Sequence, residues 1–330
     1  MSLYLGLDTS AYTTSLALVD EKDRIVLDKR SLLEVKPGER GLRQSEALFM
    51  HLKNLPRLFA ELPSEFSSQV KALAVSATPR SATDSYMPVF LAGLAQAEVL
   101  SSFSTLPLFK VSHQEGHIMA GMRGVKELLL HKAFMAAHFS GGTSEVLGVE
   151  RGRESFFNVA VLAEGHDLHA GQLVDRIGVA MGLEFPSGRL MEDLAVQAGD
   201  NPSAIPSSVD ESGFSFSGPE AAAVRLLQQG TGHPEVAFAV LRVIANTLEK
   251  ILLQCHTRTG IRDVLLVGGV MANRLIRERL QQRLEHPSVG LKLYFADPHL
   301  ASDNAVGVAM LAAEMYRGDR DSTQINTDSL

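Results

Sequence analysis

Two stretches of this chain, residues 3–30 and 133–163, run through the same order of elements. Each begins with an apolar strand (3–7 and 133–139). A tight polar turn (9–13 and 140–143) leads to a second strand (14–19 and 144–149), and a charged turn (20–24 and 151–153) leads to a third (25–30 and 155–163). The echo is one of topology more than of sequence, and it predicts a duplicated α/β fold. After the first unit the pattern predicts a helix over 45–62, a strand over 70–76, a helix over 88–103 and a strand over 106–111. In the first of these helices Leu48, Leu52, Leu55, Leu58 and Phe59 recur at helical spacing, with Pro56 expected to kink or end it. After the second unit come helices over 173–183 and 190–197, a Pro/Ser-rich loop over 201–212 and a long amphipathic helix over 236–258. A strand over 264–267 then enters Gly268-Gly269, followed by a helix over 272–284, a strand over 291–296 and a helix over 304–316. Residues 318–330 are polar and read as a frayed, flexible tail.

The chain has 330 residues, 45% of them apolar, enough to bury a core in two lobes. A single cysteine, Cys255, excludes an internal disulfide and fits a reducing compartment. No apolar run reaches membrane-spanning length, and Met1-Ser2-Leu3-Tyr4 enters a strand pattern directly, so a cytoplasmic protein without a membrane partner is expected. The net charge of -7 gives no global pull on nucleic acid; any RNA contact needs a local basic patch or a partner protein.

Within this frame several groups carry chemistry. His113 and His117 are four apart, which on a helix puts both imidazoles on one face, as two ligands of one metal require. They equally fit a pair that merely satisfies a helix. Gly116 between them costs helix propensity and implies a backbone need. Asp303 is the candidate third ligand, or a plain N-cap of the last helix. Ser140, Gly141, Gly142 and Thr143 form a turn whose N–H groups and hydroxyls can approach a phosphate, or an ordinary hairpin turn. Thr9, Ser10 and Thr13 hold the corresponding place in the first half, with hydroxyls but no glycine. Gly268 and Gly269 end a strand and Asn273 opens the next helix, the position where open α/β sheets bind ligands. Asp175 and the N–H of Gly188 are candidates for ribose hydroxyls. The run Phe214-Ser215-Phe216-Ser217-Gly218 reads as core. His51, His138, His233, His256 and His286 have no partner pattern.

Taken in order, these motifs resemble the TsaD/Gcp family (once described as an O-sialoglycoprotein endopeptidase, peptidase family M22), a branch of the actin–hexokinase–Hsp70 ATPase superfamily. The resemblance runs from Leu3 to about Tyr316. It implies a duplicated ribonuclease-H-like α/β fold of two lobes with a central cleft. The corresponding bounds are a first lobe over 1–112, a second over 113–303, a closing helix over 304–317 that packs back across the lobes, and a tail over 318–330. It also implies one Fe or Zn ion on His113, His117 and Asp303, and a phosphate loop at Ser140–Gly142–Thr143. Adenosine, as nucleotide or acyl-adenylate, would sit at Asp175, Gly188, Gly269 and Asn273, with Gly171 close by. The family's enzymes transfer a threonylcarbamoyl group from its adenylate to N6 of adenosine 37 in tRNA and work with partner proteins.

The chain also departs from the family pattern. The family's first loop reads E-T-S-C-D-E-T; here Asp8-Thr9-Ser10 runs on into Ala11-Tyr12-Thr13-Thr14, so two carboxylates become Tyr12 and Thr13. The S-G-G-H-T or S-G-G-N-T loop lacks its His or Asn, and the segment 79–88 lacks the usual P-G-x-x-G-A. These changes liken the chain to a divergent bacterial, Firmicutes-like paralogue. Two functions follow: a metal-dependent carbamoyl-type transferase, or a nucleotide- and metal-binding regulatory or scaffold subunit with altered or lost catalysis. No catalytic residue is assigned. A metalloendopeptidase does not fit, since there is no H-E-x-x-H motif.

Overall fold

In the computed structural model all residues are described except 11, 35–41, 82–84, 153–154, 200–202, 302 and 328–330, together with the side chains of 320–327. Ala11 of the first loop, the middle of the 79–88 segment and the end of the expected tail therefore lie outside the described residues.

The chain begins with the strands β1 (Leu3–Thr9), β2 (Thr13–Asp20) and β3 (Ile25–Leu32), followed by α1 (Gln44–Ala60), β4 (Val70–Thr78), α2 (Phe90–Ser104), β5 (Leu108–Ser112) and α3 (His113–Gly121). Next come β6 (Ala133–Phe139), β7 (Ser144–Arg151), β8 (Phe157–Gly165), α4 (Ala170–Ala180), α5 (Gly188–Ala195), β9 (Ser208–Val209), β10 (Gly213–Ser215), α6 (Ser217–Gln228) and α7 (His233–Thr259). The chain then forms β11 (Asp263–Val267), α8 (Arg274–Leu284), β12 (Lys292–Phe295) and α9 (Val306–Thr327).

The expected duplication is present. One sheet has the order β3-β2-β1-β4-β5, and the other carries the equivalent order β8-β7-β6-β11-β12, with β10 and β9 added beyond β8. In each, a hairpin is antiparallel and the first strand then pairs in parallel with the strand after a helix (β1 with β4, β6 with β11). β1 and β2 are buried at every position, the apolar stretches 3–7 and 16–19 together with the polar ends Asp8, Thr9, Thr13, Thr14, Ser15 and Asp20.

The chain divides into two compact units: residues 1–124, 151–158 and 302–330 in one, and 125–150 and 159–301 in the other. These bounds correct the sequence reading in two places. First, α3 belongs with the first unit rather than opening the second. It grows directly out of β5: Ser112 caps it, accepting the Glu115 N–H at 3.2 Å, while Glu115 Oε2 accepts the Ser112 N–H at 2.8 Å, a reciprocal capping box. Second, α9 is not a separate closing element but the central helix of the same unit, packed on α3, β1, β2 and β4. Small residues set this packing. A Cβ on Gly6 would overlap Ala305 and Ala309, and one on Gly307 would overlap the carbonyl oxygen of Gly116. The helix also continues to Thr327, past the expected end at 317.

Other differences are local. Pro56 lies inside α1, which runs through it to Ala60. The sequence pattern does not reveal the β9–β10 pair, since both strands are too short for an alternation to register, whereas the helix that follows the Phe214–Gly218 run is present as α6. Phe214 and Phe216 are fully buried, and the Phe214 ring stacks on Phe139 at 5.4 Å, so this run is core as expected. In the second unit α7 is the spine of the core, burying fourteen residues. No helix among the described residues is long and apolar enough to cross a membrane.

Candidate metal centre and nucleotide pocket

The first unit brings His113, His117 and Asp303 together: one ligand atom from each lies within 4.8 Å of the others. His113 Nε2 and His117 Nε2 are 3.0 Å apart, and Asp303 Oδ1 is 3.2 Å from His117 Nε2 and 3.5 Å from His113 Nε2. Donors bound to one transition metal at about 2.0–2.2 Å stand at about this separation from one another. Two imidazoles and a carboxylate are also a donor set that such a metal accepts.

Two further residues organise the three. Asp8, wholly buried at the end of β1, accepts a hydrogen bond from His113 Nδ1 at 2.8 Å. A carboxylate only accepts, so it holds the proton on Nδ1 and turns the Nε2 lone pair to the common point. Asp8 Oδ2 is buried without a hydrogen-bond partner. Ser10 donates to Asp303 Oδ2 at 2.9 Å, which fixes the carboxylate from its far side. Burial works against charge at His113, but the Asp8 and Asp303 carboxylates outweigh it and push the imidazole up to about 10. Burial likewise opposes the charge of Asp303, yet its hydrogen bonds to His113 and His117 hold it well below the usual carboxylate range. The centre thus stores positive charge among acidic groups.

Neighbouring candidates have other duties. Thr9 is buried; its hydroxyl donates to the Val89 carbonyl at 3.0 Å and accepts the Gly93 N–H at 3.2 Å, so it anchors α2 and is not presented as a phosphate donor. Thr13 is buried within β2. Ser10 serves Asp303, and Tyr12 is 43% exposed. His51, which the sequence leaves as structural or solvated, is structural and fully buried: Nδ1 meets Thr14 Oγ1 at 2.8 Å and Nε2 meets the Ser10 carbonyl at 2.8 Å, fixing the first loop. Burial lowers its affinity for a second proton. Glu115, although it stands between the histidines, is not a free base. Its carboxylate accepts from Ser112, from the Ser81 hydroxyl at 2.8 Å and from the Phe157 N–H at 3.0 Å.

The second unit holds a cavity of about 480 Å³ lined by Gly141, Asp175, Gly188, Gly269 and Asn273 among others. Five sequence candidates therefore meet in one place. A Cβ at Gly141, Gly142, Gly188 or Gly269 would touch nothing within 4 Å, so their missing side chains leave room rather than relieve packing. Gly171 and Gly268 are different. A Cβ on Gly171 would stand 2.6 Å from Gly141 N, and Gly268 has φ of 97° with its Cβ position overlapping the Phe139 carbonyl. Gly171 also donates its N–H to the Ser140 carbonyl at 3.0 Å, seating the start of α4 on the 140–143 turn. Within that turn Ser140 Oγ accepts the N–H groups of Gly142 and Thr143 at 3.2 and 3.1 Å. Asp175 Oδ1 accepts the Ser187 N–H at 2.8 Å, which pins the turn before Gly188. Asn273 caps α8, Oδ1 accepting the Ile276 N–H at 3.1 Å, so its amide NH2 is what it has to offer a ligand.

Comparison with known proteins follows the same lines. The family model described as TsaD, tRNA N6-adenosine threonylcarbamoyltransferase, matches residues 35–310. The chain is 30% identical over 316 residues to a tRNA N6-adenosine threonylcarbamoyltransferase of Thermus thermophilus, covering 93% of this chain and 91% of that one. It is 28% identical over 316 residues to the protein of the same description from Archaeoglobus fulgidus, covering 95% and 91% respectively. Among solved structures, full-length HypF in its phosphate- and nucleotide-bound form superposes with a TM-score of 0.59 at 13% identity, over 95% of this chain and 55% of that chain. That likeness places the fold in the ribonuclease-H-like class of the actin, hexokinase and Hsp70 proteins.

Proposed function

This chain belongs to the TsaD family, and we propose that it is a metal-dependent carbamoyl-type transferase that moves a threonylcarbamoyl group from an adenylate to an adenosine of tRNA. The observation that carries this reading is the convergence of His113, His117 and Asp303 with Asp8 behind them. Fe or Zn held by these three ligands would act as a Lewis acid on a carbamoyl carbonyl or a phosphate. Asp8 keeps the His113 ring in the coordinating orientation, and Ser10 keeps Asp303 from rotating away. In the second unit the open space about Gly141 and Gly142 leaves room for a phosphate, and the bare backbone at Gly269 suits a flat ring. Asp175 has a second carboxylate oxygen for ribose hydroxyls. Partner proteins of the threonylcarbamoyl pathway belong to the same proposal.

The test is to incubate the purified, metal-loaded protein with threonylcarbamoyl-adenylate and unmodified tRNA, then to assay tRNA hydrolysates by mass spectrometry. The expected product is N6-threonylcarbamoyladenosine, made by the wild type and not by His117→Ala. No product from a protein that binds both metal and nucleotide sinks the transferase reading. A second reading, a nucleotide-binding regulatory subunit, is favoured by the neutral Tyr12 and Thr13 where family members carry carboxylates. An orienting or acid–base group contributes about 10²–10⁴-fold in rate. The chain is therefore expected not to restore near-normal modification in cells depleted of their own enzyme. Near-normal restoration overturns the argument from the loop.

A further inference from the structure

We propose that the groove between α7 and α8 is a phosphodiester-binding track for the RNA acceptor, a proposal that rests on the transferase reading above. Although the whole chain carries a charge of -7, α8 alone holds Arg274, Arg277, Arg279 and Arg283 against a single Glu278. Two of these, Arg279 and Arg283, are four apart and share the face turned to α7, where Arg242 and Lys250 join them. Glu249 is the carboxylate in their midst. It stands 2.8 Å from Arg283 Nε and 3.6 Å from Arg279 Nη2, so one acid serves two guanidinium groups. Glu278, at the edge, is engaged by Arg274 at 3.8 Å.

Arg279 is the centre of this surplus. Its side chain is 22% exposed, its Nε–H is buried with no hydrogen-bond partner, and its other polar neighbour, Asn246 Oδ1, stands at a long 3.5 Å. Burial and the neighbouring charge of Arg242 both weaken its hold on its proton, with Arg283 acting the same way and Glu249 opposing. Three open cavities, of about 400, 300 and 330 Å³, meet at this residue. An anion entering any of them relieves the like-charge repulsion among these guanidinium groups. A guanidinium fork is suited to phosphate oxygens in particular.

The groove also has direction. α8 starts at the nucleotide cavity, where Asn273 is its cap, and its rise of about 1.5 Å per residue puts Arg279 about 9 Å and Arg283 about 15 Å farther along. A cationic row leading away from an adenylate pocket suits a polymer whose modified base reacts there and whose backbone runs on. A single free phosphate has no use for such a row.

Fluorescence anisotropy of a labelled, unmodified tRNA transcript with the full chain, at a series of salt concentrations, tests the proposal. Arg279→Gln/Arg283→Gln should weaken binding about ten-fold or more. It should also flatten the dependence of log affinity on log salt by about one for each phosphate that is no longer neutralised. Glu249→Gln should act in the opposite sense and tighten binding. ADP affinity by calorimetry should be unchanged in both, which shows that the unit is folded. Wild-type affinity and salt slope in the double variant overturn the groove while leaving the transferase reading intact. Displacement of the RNA by millimolar inorganic phosphate at constant ionic strength also overturns it, since the groove is then a simple anion site. If the wild type binds no tRNA at all, the groove proposal and the RNA acceptor fall together.

Discussion

Asp8 and His113 lie 105 residues apart in sequence, yet Asp8 Oδ1 and His113 Nδ1 are 2.8 Å apart in a contact that aims the imidazole at its ligand position. The carboxylate is not among the three clustered ligand groups themselves. Replacing an orienting partner of this kind reduces metal affinity by about 10–100-fold. Asp8→Asn is therefore expected to lose metal at intermediate chelator concentrations where the wild type keeps it, while His117→Ala loses it outright. Metal content by elemental analysis across a chelator series reads both. An Asp8→Asn protein with wild-type retention removes Asp8 from the centre.

A second expectation concerns the nucleotide cavity. Asp175 both lines it and pins the Ser187 N–H. Asp175→Ala removes an acceptor of ribose hydroxyls and loosens the turn before Gly188. An unmade hydrogen bond of this sort costs about 1–3 kcal/mol, so adenine-nucleotide affinity by calorimetry should fall about ten-fold or more. Unchanged affinity would place the ribose elsewhere.

The crossing of α3 and α9 admits no side chain at Gly307, because a Cβ there overlaps the Gly116 carbonyl oxygen. Overpacking a tight contact typically costs about 1–3 kcal/mol, occasionally more. Gly307→Ala should lower the denaturation midpoint clearly. Gly318→Ala, on the same helix with no atom near its Cβ position, should leave the midpoint unchanged or raise it slightly. Equal effects from the two changes would mean that α9 does not cross α3 at Gly307.

Acid dependence can be traced to Asp167. Partial burial works against its charge, but hydrogen bonds from the Ser217 hydroxyl and the N–H groups of Phe216, Leu168 and Ser217 outweigh this and hold it down at about 2. The carboxylate's folded value is below its unfolded value of about 3.9. Its contribution is therefore complete above pH of about 4 and is lost as pH falls through about 2. The group is largely open to solvent, so the contribution is no more than about 1 kcal/mol. The stability difference between wild type and Asp167→Ala should be constant from neutral pH down to about 5 and should shrink below about 4. A difference that grows on acidification contradicts this role for the carboxylate.

The parts of this molecule that are legible in the sequence are those governed by local pattern. β1, β2 and β6 announce themselves through the apolar stretches at their centres, as strands covered on both faces do. The His113–His117 spacing states that both rings share a helix face, and Gly116 signals a close approach that Gly307 and Val308 explain. Spacing cannot say which sheet a helix packs on, so a boundary read at residue 113 puts α3 in the wrong unit. Nor can it distinguish a carboxylate in a turn from one buried behind an imidazole. Asp8 therefore carries no role in the sequence reading, while Thr9, an anchor for α2, reads as a phosphate donor. The arginines of α8 already stand close together in the sequence, but only folding sets Arg242 and Lys250 of α7 beside them.

The distribution of the proposed metal ligands along the chain has a consequence for how the protein is made. Asp8 and the two histidines leave the ribosome first, but the third donor, Asp303, follows 186 residues after His117, just ahead of the helix that presses on Gly116. For all of that interval a nascent chain carries two imidazoles and an orienting carboxylate with nothing to close the coordination. On the proposed metal centre, capture waits for the late segment, and a chain broken off before Asp303 is expected to stay metal-free however well its first sheet has formed.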